Sequence, residues 1–523
     1  MKFSCVLLFL LSAVVGAWGQ AKTRRLPGVI NRPSLNLYAP YISFDGNALL
    51  FVSDDGEDNT LTVSYTSRET DWSEPVTLPK NVNHRLIYMR GFALNADGQR
   101  LYFTSIKSPT VGGYDIMTSE RKGTTWSDPE NLLLPINSKS NEGCPSFTTD
   151  GNAIYFMRCE KMDQNKADGC KLFFSRKKPN GQWEEPKELP PHINTGNSQT
   201  PRIMADGETL LFSSNSMGSS RGMDLYVSKF VDGNWAPPTP MTFINTDQDD
   251  QFVTVTALGR YLIKDTPGAK KTNELVEYLI PNELRPKGMM KLEGSVVDMT
   301  GTPVPAYISV VDLVTNKKSY SGRPGKDGKF MLYLMEGTRY ELSIDPEQSN
   351  ISYYSKLFDL TEKTPQKERV NAILGQPKPG DELPLDLVTF KANSAVLESS
   401  SNTELKRLVR VIKANPQLNF DIAVSLDGYV QDSTMSDPDL TEIMLDSVQV
   451  QISGLDSIGN AVNRDTLIVK QNFHNDRTIK QGKAITDYLT SQGVNQNSIM
   501  YTGTAVPATI PSNRKLLVKA IAR

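Results

Sequence analysis

Residues 95–105 read NADGQRLYFTS, an Asp-Gly pair followed by an aromatic, strand-forming run. Asp-Gly favours the backbone of a tight turn, so the stretch predicts a β-hairpin. The same pattern recurs along the N-terminal half of the chain. Four clear copies and one degenerate copy begin at Phe44 (FDGNALLFVS), Ala96 (ADGQRLYFTS), Thr149 (TDGNAIYFMR), Ala205 (ADGETLLFSS) and Ala257 (ALGRYLIKD).

Two further elements repeat in phase with the turns. The aspartates at positions 45, 97, 150 and 206 are spaced 52, 53 and 56 residues apart, and a tryptophan follows each one, at positions 72, 126, 183 and 235. Three of the units close on an Ile-Asn pattern: INSKSNE, INTGNSQ and INTDQDD. Self-similarity at this period, with three or four short strands per unit, predicts a β-propeller. We expect five blades, or six if residues 25–36 add strands.

The ordered set of motifs resembles the periplasmic WD40-like, TolB-type propeller repeat, and the resemblance covers residues 30 to 286. We expect the side chains of Asp45, Asp97, Asp150 and Asp206 to stabilise turns; the alternative, that they bind a metal ion, is less favoured. We expect the repeated tryptophans to pack in the core, in preference to stacking on sugar. Asp54, Asp55 and Asp58 lack the spacing of a calcium loop, which favours a solvated acidic loop.

The N-terminus, MKFSCVLLFLLSAVVGAWGQA, has a positive start, an apolar stretch of twelve residues and small residues before Gln20. This pattern predicts a signal peptide over residues 1–19 and an exported protein. Export permits disulfides. Cys159 and Cys170 flank a polar loop between two strand-like runs, so we expect them to pair and leave Cys144 as a thiol. The alternative is three small buried thiols.

After the propeller region, assigned to residues 20–286, the pattern changes to short alternating strands. Residues 287–374 predict a β-sandwich. GSVVDMTGTPVPAYISV and KDGKFMLYLMEGTRYELSI resemble the carboxypeptidase regulatory-like domain, which implies a transthyretin-like fold. Residues 375–384 are rich in proline and glycine and predict a linker.

Residues 385–523 predict an α+β domain with two amphipathic helices and alternating strands. VTFKANSAVL, LKRLVRVIKANP, DYLTSQGV and SNRKLLV resemble the framework of the OmpA C-terminal-like family, which binds peptidoglycan. An insertion over about residues 431–473 predicts a two-stranded hairpin. The whole chain is therefore expected to be a multidomain, mainly β protein.

The resemblance also implies a binding site. In the family, an Asp and an Arg grip diaminopimelate; the Asp position falls on Asp427 in SLDGYV, whereas the Arg position falls on Gln481. A neutral amide cannot replace the charge of a guanidinium. Arg477, one helical turn earlier, and Arg514 in the family's Asn-Arg-Arg position are alternative sources of charge. Asp427 could equally cap the turn before Gly428.

No nucleophile elbow, phosphate loop, HExxH or paired Cys-x-x-Cys motif occurs, so we expect no enzyme, no cofactor and no metal site. The formal net charge of −2 favours neither nucleic acid nor an anionic membrane as a partner. No segment after the signal peptide is apolar enough to predict a transmembrane helix.

The order of modules resembles Bacteroidetes envelope proteins of the PorE type, associated with type IX secretion and gliding. This resemblance implies a non-enzymatic periplasmic scaffold, held at peptidoglycan or the outer membrane, whose propeller binds an envelope or outer-membrane protein. The alternative hypothesis is a glycan-binding or glycan-cleaving propeller that uses the C-terminal domain for retention. An acidic pair facing the propeller's central channel would favour cleavage.

Overall fold

A computed structural model describes residues 23–54, 61–216, 222–268, 272–391, 394–429, 442–455, 457–474, 477–507 and 513–523. The predicted signal peptide, Asp55, Asp58 and the first part of the insertion lie outside these residues. The described chain is mainly β and divides into two compact units. Among the described residues no helix has the length and apolar character to cross a membrane.

The first unit contains β1 (Thr23–Arg25) and five antiparallel sheets, I to V, in the arrangement of a β-propeller. Sheet I has β2 (Asn36–Ile42), β3 (Ala48–Asp54), β4 (Leu61–Ser67) and β5 (Val76–Thr77). Sheet II has β6 (Ala93–Leu94), β7 (Arg100–Ser105), β8 (Asp115–Lys122), β9 (Thr125–Trp126) and β10 (Glu130–Asn131). Sheet III has β11 (Asn141–Phe147), β12 (Ala153–Met162), β13 (Ala167–Arg176) and β14 (Lys187–Glu188).

Sheet IV has β15 (Ser198–Ile203), β16 (Thr209–Ser214), β17 (Asp224–Val231), β18 (Asn234–Trp235) and β19 (Thr239–Pro240). Sheet V has β20 (Thr254–Val255), β21 (Tyr261–Pro267) and β22 (Asn273–Leu279), with β1 as its outermost strand. The first described strand, β1, therefore completes the last sheet.

The Asp-Gly pairs form the tight turns that the sequence predicts. Asp97 Oδ1 accepts a hydrogen bond from the backbone N–H two residues later at 2.8 Å, and Asp150 Oδ1 does the same at 3.0 Å. Gly98 and Gly151 have φ of 71° and 66°, a conformation that a side chain would strain. The prediction that these aspartates shape turns is confirmed.

Core packing of the tryptophans is confirmed for three of the four. Trp72, Trp126 and Trp235 are buried. The indole of Trp235 in sheet IV meets the Tyr155 ring of sheet III edge-to-face, with ring centroids 6.1 Å apart. Such contacts join neighbouring sheets through apolar area and favourable ring geometry.

One asparagine from each repeat pairs with the third strand of a sheet. Asn194 accepts a hydrogen bond from Leu172 N at 2.7 Å and donates one to Leu172 O at 3.0 Å. The same two bonds occur, with distances of 2.8–3.0 Å, in three other sheets; the pairs are Asn137 with Ile116, Asn245 with Leu225 and Asn31 with Leu275. In sheet I, Asn83 accepts from Val63 N at 3.4 Å.

We expect Asn194→Ala to lower the free energy of unfolding of the propeller by about 2–4 kcal/mol, because three hydrogen bonds are lost, two to Leu172 and one to Leu189 O, and buried backbone groups are left without partners. Urea unfolding followed by tryptophan fluorescence measures this, since all four described tryptophans lie in the propeller. The control is Asn180→Ala, in an exposed turn, with an expected change below about 0.5 kcal/mol. Equal effects of the two substitutions would contradict the role of Asn194.

The second unit begins with two sheets from the predicted sandwich region. One has β23 (Met289–Val297), β26 (Lys329–Met335) and β29 (Lys367–Ile373), in the order β26-β23-β29. The other has β24 (Ala306–Asp312), β25 (Lys317–Gly322), β27 (Arg339–Pro346) and β28 (Tyr354–Asp359), in the order β25-β24-β27-β28.

The C-terminal domain has one mixed sheet and two helices. The sheet, in the order β30-β35-β31-β34, has β30 (Glu382–Pro384), β31 (Leu418–Tyr429), β34 (Ile499–Pro507) and β35 (Asn513–Ala522). The helices are α1 (Asn402–Ala414) and α2 (Arg477–Ser491). A separate two-stranded hairpin has β32 (Glu442–Leu455) and β33 (Ala461–His474). An apolar cluster that includes Leu405 and Leu408 of α1, Ile485 of α2 and Ile422 of β31 forms the core.

Arg407 of α1 connects the C-terminal domain to the sandwich region. Its guanidinium lies 2.9 Å from Glu341 Oε1 and 3.2 Å from Asp345 Oδ2, both on β27. Glu404, one helical turn earlier, is 1 % exposed and accepts a hydrogen bond from Ser355 Oγ at 2.8 Å. Burial raises the pKa of Glu404 to about 7, although Ser355 and Arg407 oppose the shift.

This burial predicts a pH dependence of stability. Because the folded state binds the Glu404 proton more tightly than the unfolded state, stability should fall as pH rises from about 4.5 to about 7 and stay level above. The loss should be at most about 3 kcal/mol. Scanning calorimetry of wild type and Glu404→Gln across this range measures it. We expect the variant to lack this dependence, and identical profiles would show that another group titrates.

Candidate functional site

The five inner strands share one unusual backbone position. Each places a residue with φ between 46° and 74°, the left-handed region that side chains rarely adopt. These residues are Ala39, Gly91, Cys144, Thr200 and Phe252. In three of the inner strands the pairing register with the second strand shifts at this point, as in a β-bulge.

These five residues surround a small pocket at the centre of the propeller, which we call the axial pocket. Its volume is about 30 Å³, and no carboxylate stands among the described residues that line it. The lining residues are Ala39, Pro40, Tyr41, Gly91, Phe92, Cys144, Pro145, Thr200, Pro201, Arg202, Phe252 and Val253. Every inner strand contributes, directly or through the residues just before it.

Polar side chains from the position before the left-handed residue lie next to the axial pocket. Gln251 Nε2 donates a hydrogen bond to Gln199 Oε1 at 3.0 Å, and the Arg90 guanidinium lies 5.4 Å from the Phe252 ring centroid. Tyr38 occupies the same position in sheet I. Burial, followed by the charge of Asp54, raises the pKa of Tyr38, and the nearby charge of Arg90 lowers it.

Asp265 on β21 interacts electrostatically with Arg90 and Tyr38. Burial raises the pKa of its carboxyl, while Lys264 and Arg90 oppose the shift. No sequence motif marks Asp265, Arg90 or Arg202, and Asp265 belongs to the degenerate fifth repeat. When the inner strands are aligned on their residues with positive φ, Arg90 occupies the position that Tyr38, Gln199 and Gln251 occupy in the other strands.

The β12–β13 hairpin reaches two neighbouring sheets. The structure joins Cys159 and Cys170 by a disulfide across this hairpin, and Cys144 is a buried free thiol. Beyond the disulfide, Gln164 O accepts a hydrogen bond from Met89 N at 2.9 Å, and Gln199 Nε2 donates to Ala167 O at 2.6 Å. The hairpin tip is therefore tied to residues on either side of the axial pocket.

We expect loss of the disulfide in Cys159→Ser to lower the free energy of unfolding by about 2–4 kcal/mol, because the cross-link restricts the unfolded chain. Urea unfolding with tryptophan detection reports the loss. Cys144→Ser is the control, since its thiol is not cross-linked. Wild-type protein digested without reduction should release a Cys159–Cys170 linked peptide, and a linked peptide containing Cys144 would contradict the pairing.

In the C-terminal domain, one end of the sheet carries two of the predicted binding residues. Asp427 on β31 is the backbone partner of Asn513 on β35, and Leu426 is the partner of Arg514. On its other side Asp427 pairs with Val506 of β34. Asp427 and Arg514 therefore stand one residue apart in register at the same end of the sheet.

Helix α2 starts near this end. A Cβ added to Gly503 of β34 would lie 2.6 Å from Ile479 N, so the first turn of the helix packs directly on the sheet backbone. Gly503 pairs with Val424, three residues before Asp427. Arg477, the first residue of the helix, is 7 % exposed.

Gln481 lies one turn into α2 and is fully buried. Its Nε2 donates a hydrogen bond to Ser394 O at 3.2 Å, in the segment before α1. The amide therefore joins the helix to that segment. Within the described residues no group of three or more histidine, cysteine or acidic side chains is placed to hold a metal ion.

No protein-family model matches the chain, and no curated protein matches it. Solved structures do resemble it. TolB from Acinetobacter baumannii is 12% identical over 46% of this chain, with a TM-score of 0.30, and the alignment spans 54% of that protein. The endo-arabinase from Bacteroides thetaiotaomicron is 17% identical over 49% of this chain and 98% of its own, with a TM-score of 0.35.

A third similar structure is Zg3597 from Zobellia galactanivorans, a family 117 glycoside hydrolase. It is 13% identical over 50% of this chain and 90% of its own, with a TM-score of 0.33. Likenesses at these scores carry no argument about activity. The prediction that the chain is not an enzyme is nevertheless wrong, because glycoside hydrolases are among the structures that resemble it.

Proposed function

We propose that the chain is an exported cell-envelope protein whose C-terminal domain holds peptidoglycan. The observation that carries the proposal is the backbone register that puts Asp427 opposite Asn513 and Arg514 one residue further along β35. An Asp and an Arg on neighbouring strands at one end of a sheet supply the two charges that a ligand with both an amine and a carboxylate requires. Because successive positions of a strand alternate between its two faces, such a ligand would lie across the ends of the strands. Diaminopimelate in peptidoglycan stems has this chemistry.

The burial of Gln481 and Arg477 decides which basic residue we favour. Gln481 is fully buried and bonds to the Ser394 carbonyl, so it supports the domain without supplying charge. Arg477 is also buried, at 7 % exposure. We therefore propose that Arg514 binds the ligand carboxylate, Asp427 binds the amine, and Arg477 and Gln481 position the helix beside them.

The test is sedimentation of the full-length protein with purified peptidoglycan that contains diaminopimelate. We expect Asp427→Ala and Arg514→Ala each to weaken binding by about 10- to 100-fold, because each removes a charge-assisted hydrogen bond. Lys483→Ala, an exposed cation on α2 that pairs with Asp487, is the control and should bind like wild type.

A wild-type chain that stays in the supernatant would refute the peptidoglycan proposal. Equal binding by wild type and both variants would show that another surface holds the polymer. Loss of binding in Arg477→Ala alone, with α2 intact by circular dichroism, would move the carboxylate contact to that arginine.

For the first unit we propose a five-bladed propeller in which each sheet is one blade. The support is the addition of β1 to sheet V, which leaves no separate sixth sheet among the described residues. We further propose that this propeller binds an envelope or outer-membrane protein, in the periplasm, and that the protein works with the type IX secretion and gliding machinery. The order of its three modules supports this assignment.

A second candidate function is glycan binding or cleavage by the propeller. The favouring observation is Asp265, whose buried carboxyl has a raised pKa, in the electrostatic environment of Tyr38 and Arg90. A carboxyl with a raised pKa keeps its proton to higher pH than an ordinary aspartate does, which suits a general acid in glycoside hydrolysis. Asp54, whose charge also acts on Tyr38, is the second carboxylate that we propose for this reaction.

We expect Asp265→Asn to reduce any hydrolysis at least about 100-fold, because the amide has no acidic proton to donate. Release of reducing ends from a panel of polysaccharides and from peptidoglycan glycan strands measures the activity. Asp163→Asn, in the hairpin between Cys159 and Cys170, is the acidic control. Hydrolysis that is unchanged in Asp265→Asn would remove this residue from the site, and no hydrolysis by wild type would refute the candidate for these substrates.

A further inference from the structure

Arg202 projects from β15, the inner strand of sheet IV, to the centre of the propeller. It lines the axial pocket and also a second pocket, of about 10 Å³, in which Tyr41 again takes part. Residues from sheets I, III and V surround it in these linings. The guanidinium therefore occupies the axis of the ring, where the inner strands converge.

The contacts of Arg202 use little of its bonding capacity. Its Cζ lies 3.8 Å from the centroid of the Tyr41 ring, a cation–π contact. Its Nη2 donates one hydrogen bond, to Thr254 Oγ1 at 3.1 Å. A guanidinium has five N–H donors, so most of the donors of Arg202 make no hydrogen bond to the described residues.

No carboxylate balances this charge among the described residues. The linings of both pockets contain neither Asp nor Glu, and no ion pair of Arg202 occurs within the described part of the chain. Two other cations of the propeller, the buried Lys264 and the partly exposed Arg158, are paired with carboxylates. Lys264 lies 2.6 Å from Asp250, and Arg158 lies 2.7 Å from Glu142.

The neighbouring groups that could become negative stay neutral. Burial raises the pKa of the Cys144 thiol to about 12, so the thiolate is not formed near neutral pH. Burial also raises the pKa of Tyr41, whose hydroxyl donates a hydrogen bond to Leu94 O at 2.8 Å. Because a guanidinium keeps its proton in proteins, Arg202 carries a positive charge at the axis that no counter-charge among the described residues balances.

We propose that the axial pocket binds one small monoanion, a carboxylate group or a halide ion, with Arg202 as its anchor. A planar carboxylate can accept two parallel N–H···O bonds from the guanidinium fork, and a halide can accept them at a single centre. This inference goes beyond the proposed function, because it does not depend on peptidoglycan binding by the C-terminal domain.

The size of the axial pocket selects the ligand. A volume of about 30 Å³ admits a water-sized or carboxylate-sized group, and it is too small for a sugar ring. Gly91 helps to keep this space, since a Cβ there would lie 2.4 Å from Cys144 Sγ. The Arg90 guanidinium, stacked over Phe252, adds positive potential next to the pocket.

The experiment uses the full-length protein and two probes, sodium acetate and sodium chloride, in a buffer balanced to constant ionic strength with sodium methanesulfonate. Calorimetric titration measures acetate binding, and the line width of the chloride NMR signal measures chloride binding. The variants are Arg202→Met and Arg202→Lys. The matched control is Arg121→Met, which removes another arginine of the propeller that stacks on a tyrosine, Tyr65, at 5.2 Å.

We expect saturable binding of at least one probe by wild type and by Arg121→Met, and binding weaker by about tenfold or more in Arg202→Met and Arg202→Lys, since lysine lacks the planar fork. Acetate binding without chloride binding would support a carboxylate, from a free acid or a partner's acidic side chain. Binding of chloride would support a halide site. Absence of saturable binding in wild type, or unchanged affinity in either folded Arg202 variant, would overturn the proposal.

Discussion

The propeller depends on two hydrogen bonds that an asparagine side chain makes with the backbone of the third strand of a sheet. The outer strands of the five sheets are only two or three residues long, so they pair with only part of the outer edge of the third strand. The asparagine amide offers one donor and one acceptor, as a peptide group does, and satisfies buried backbone groups that would otherwise be costly. It also ties the loop that enters the next inner strand to the preceding sheet. Asn31 provides the same contact for sheet V, so the N-terminal segment joins the last sheet through its side chain as well as through β1.

At the axis, the inner strands share one backbone conformation but differ in their side chains. The left-handed position is filled by residues as different as glycine, cysteine and phenylalanine, so the strand geometry is repeated while the side chains vary. Two residues later, Arg202 stands where the other inner strands have Tyr41, Ala93, Ser146 and Thr254. Because only one of the five strands contributes a charge at this level, the axis is asymmetric. An asymmetric charge in a narrow, partly apolar pocket is an arrangement suited to recognising a single polar group.

The second unit combines a structural charge network with the sheet end at which we propose a binding site. Arg407 is held by two acidic residues of β27, and the buried Glu404 completes the cluster. Removing one partner from such a network leaves an uncompensated charge, which is why buried networks fix geometry more than they add stability. At the far end of the same domain, the strand register brings Asp427 and Arg514 to neighbouring positions, while the buried amide at Gln481 supports the helix.

The sequence by itself determined the repeated turns and the period of the propeller. Asp-Gly turns and alternating strands are local signals, and they are correct because the same residues act through their own backbone in each repeat, as at Asp97 and Asp150. The tertiary structure alone decided which repeated residues meet at the axis, because Tyr41, Cys144, Arg202 and Thr254 are far apart in the chain. It also decided that the asparagines replace strand pairing and that β1 completes sheet V, since both depend on contacts between distant segments. Local sequence patterns depend on residues that are neighbours in the chain. The residues at the axis come from distant repeats, and only the folded propeller brings them into contact.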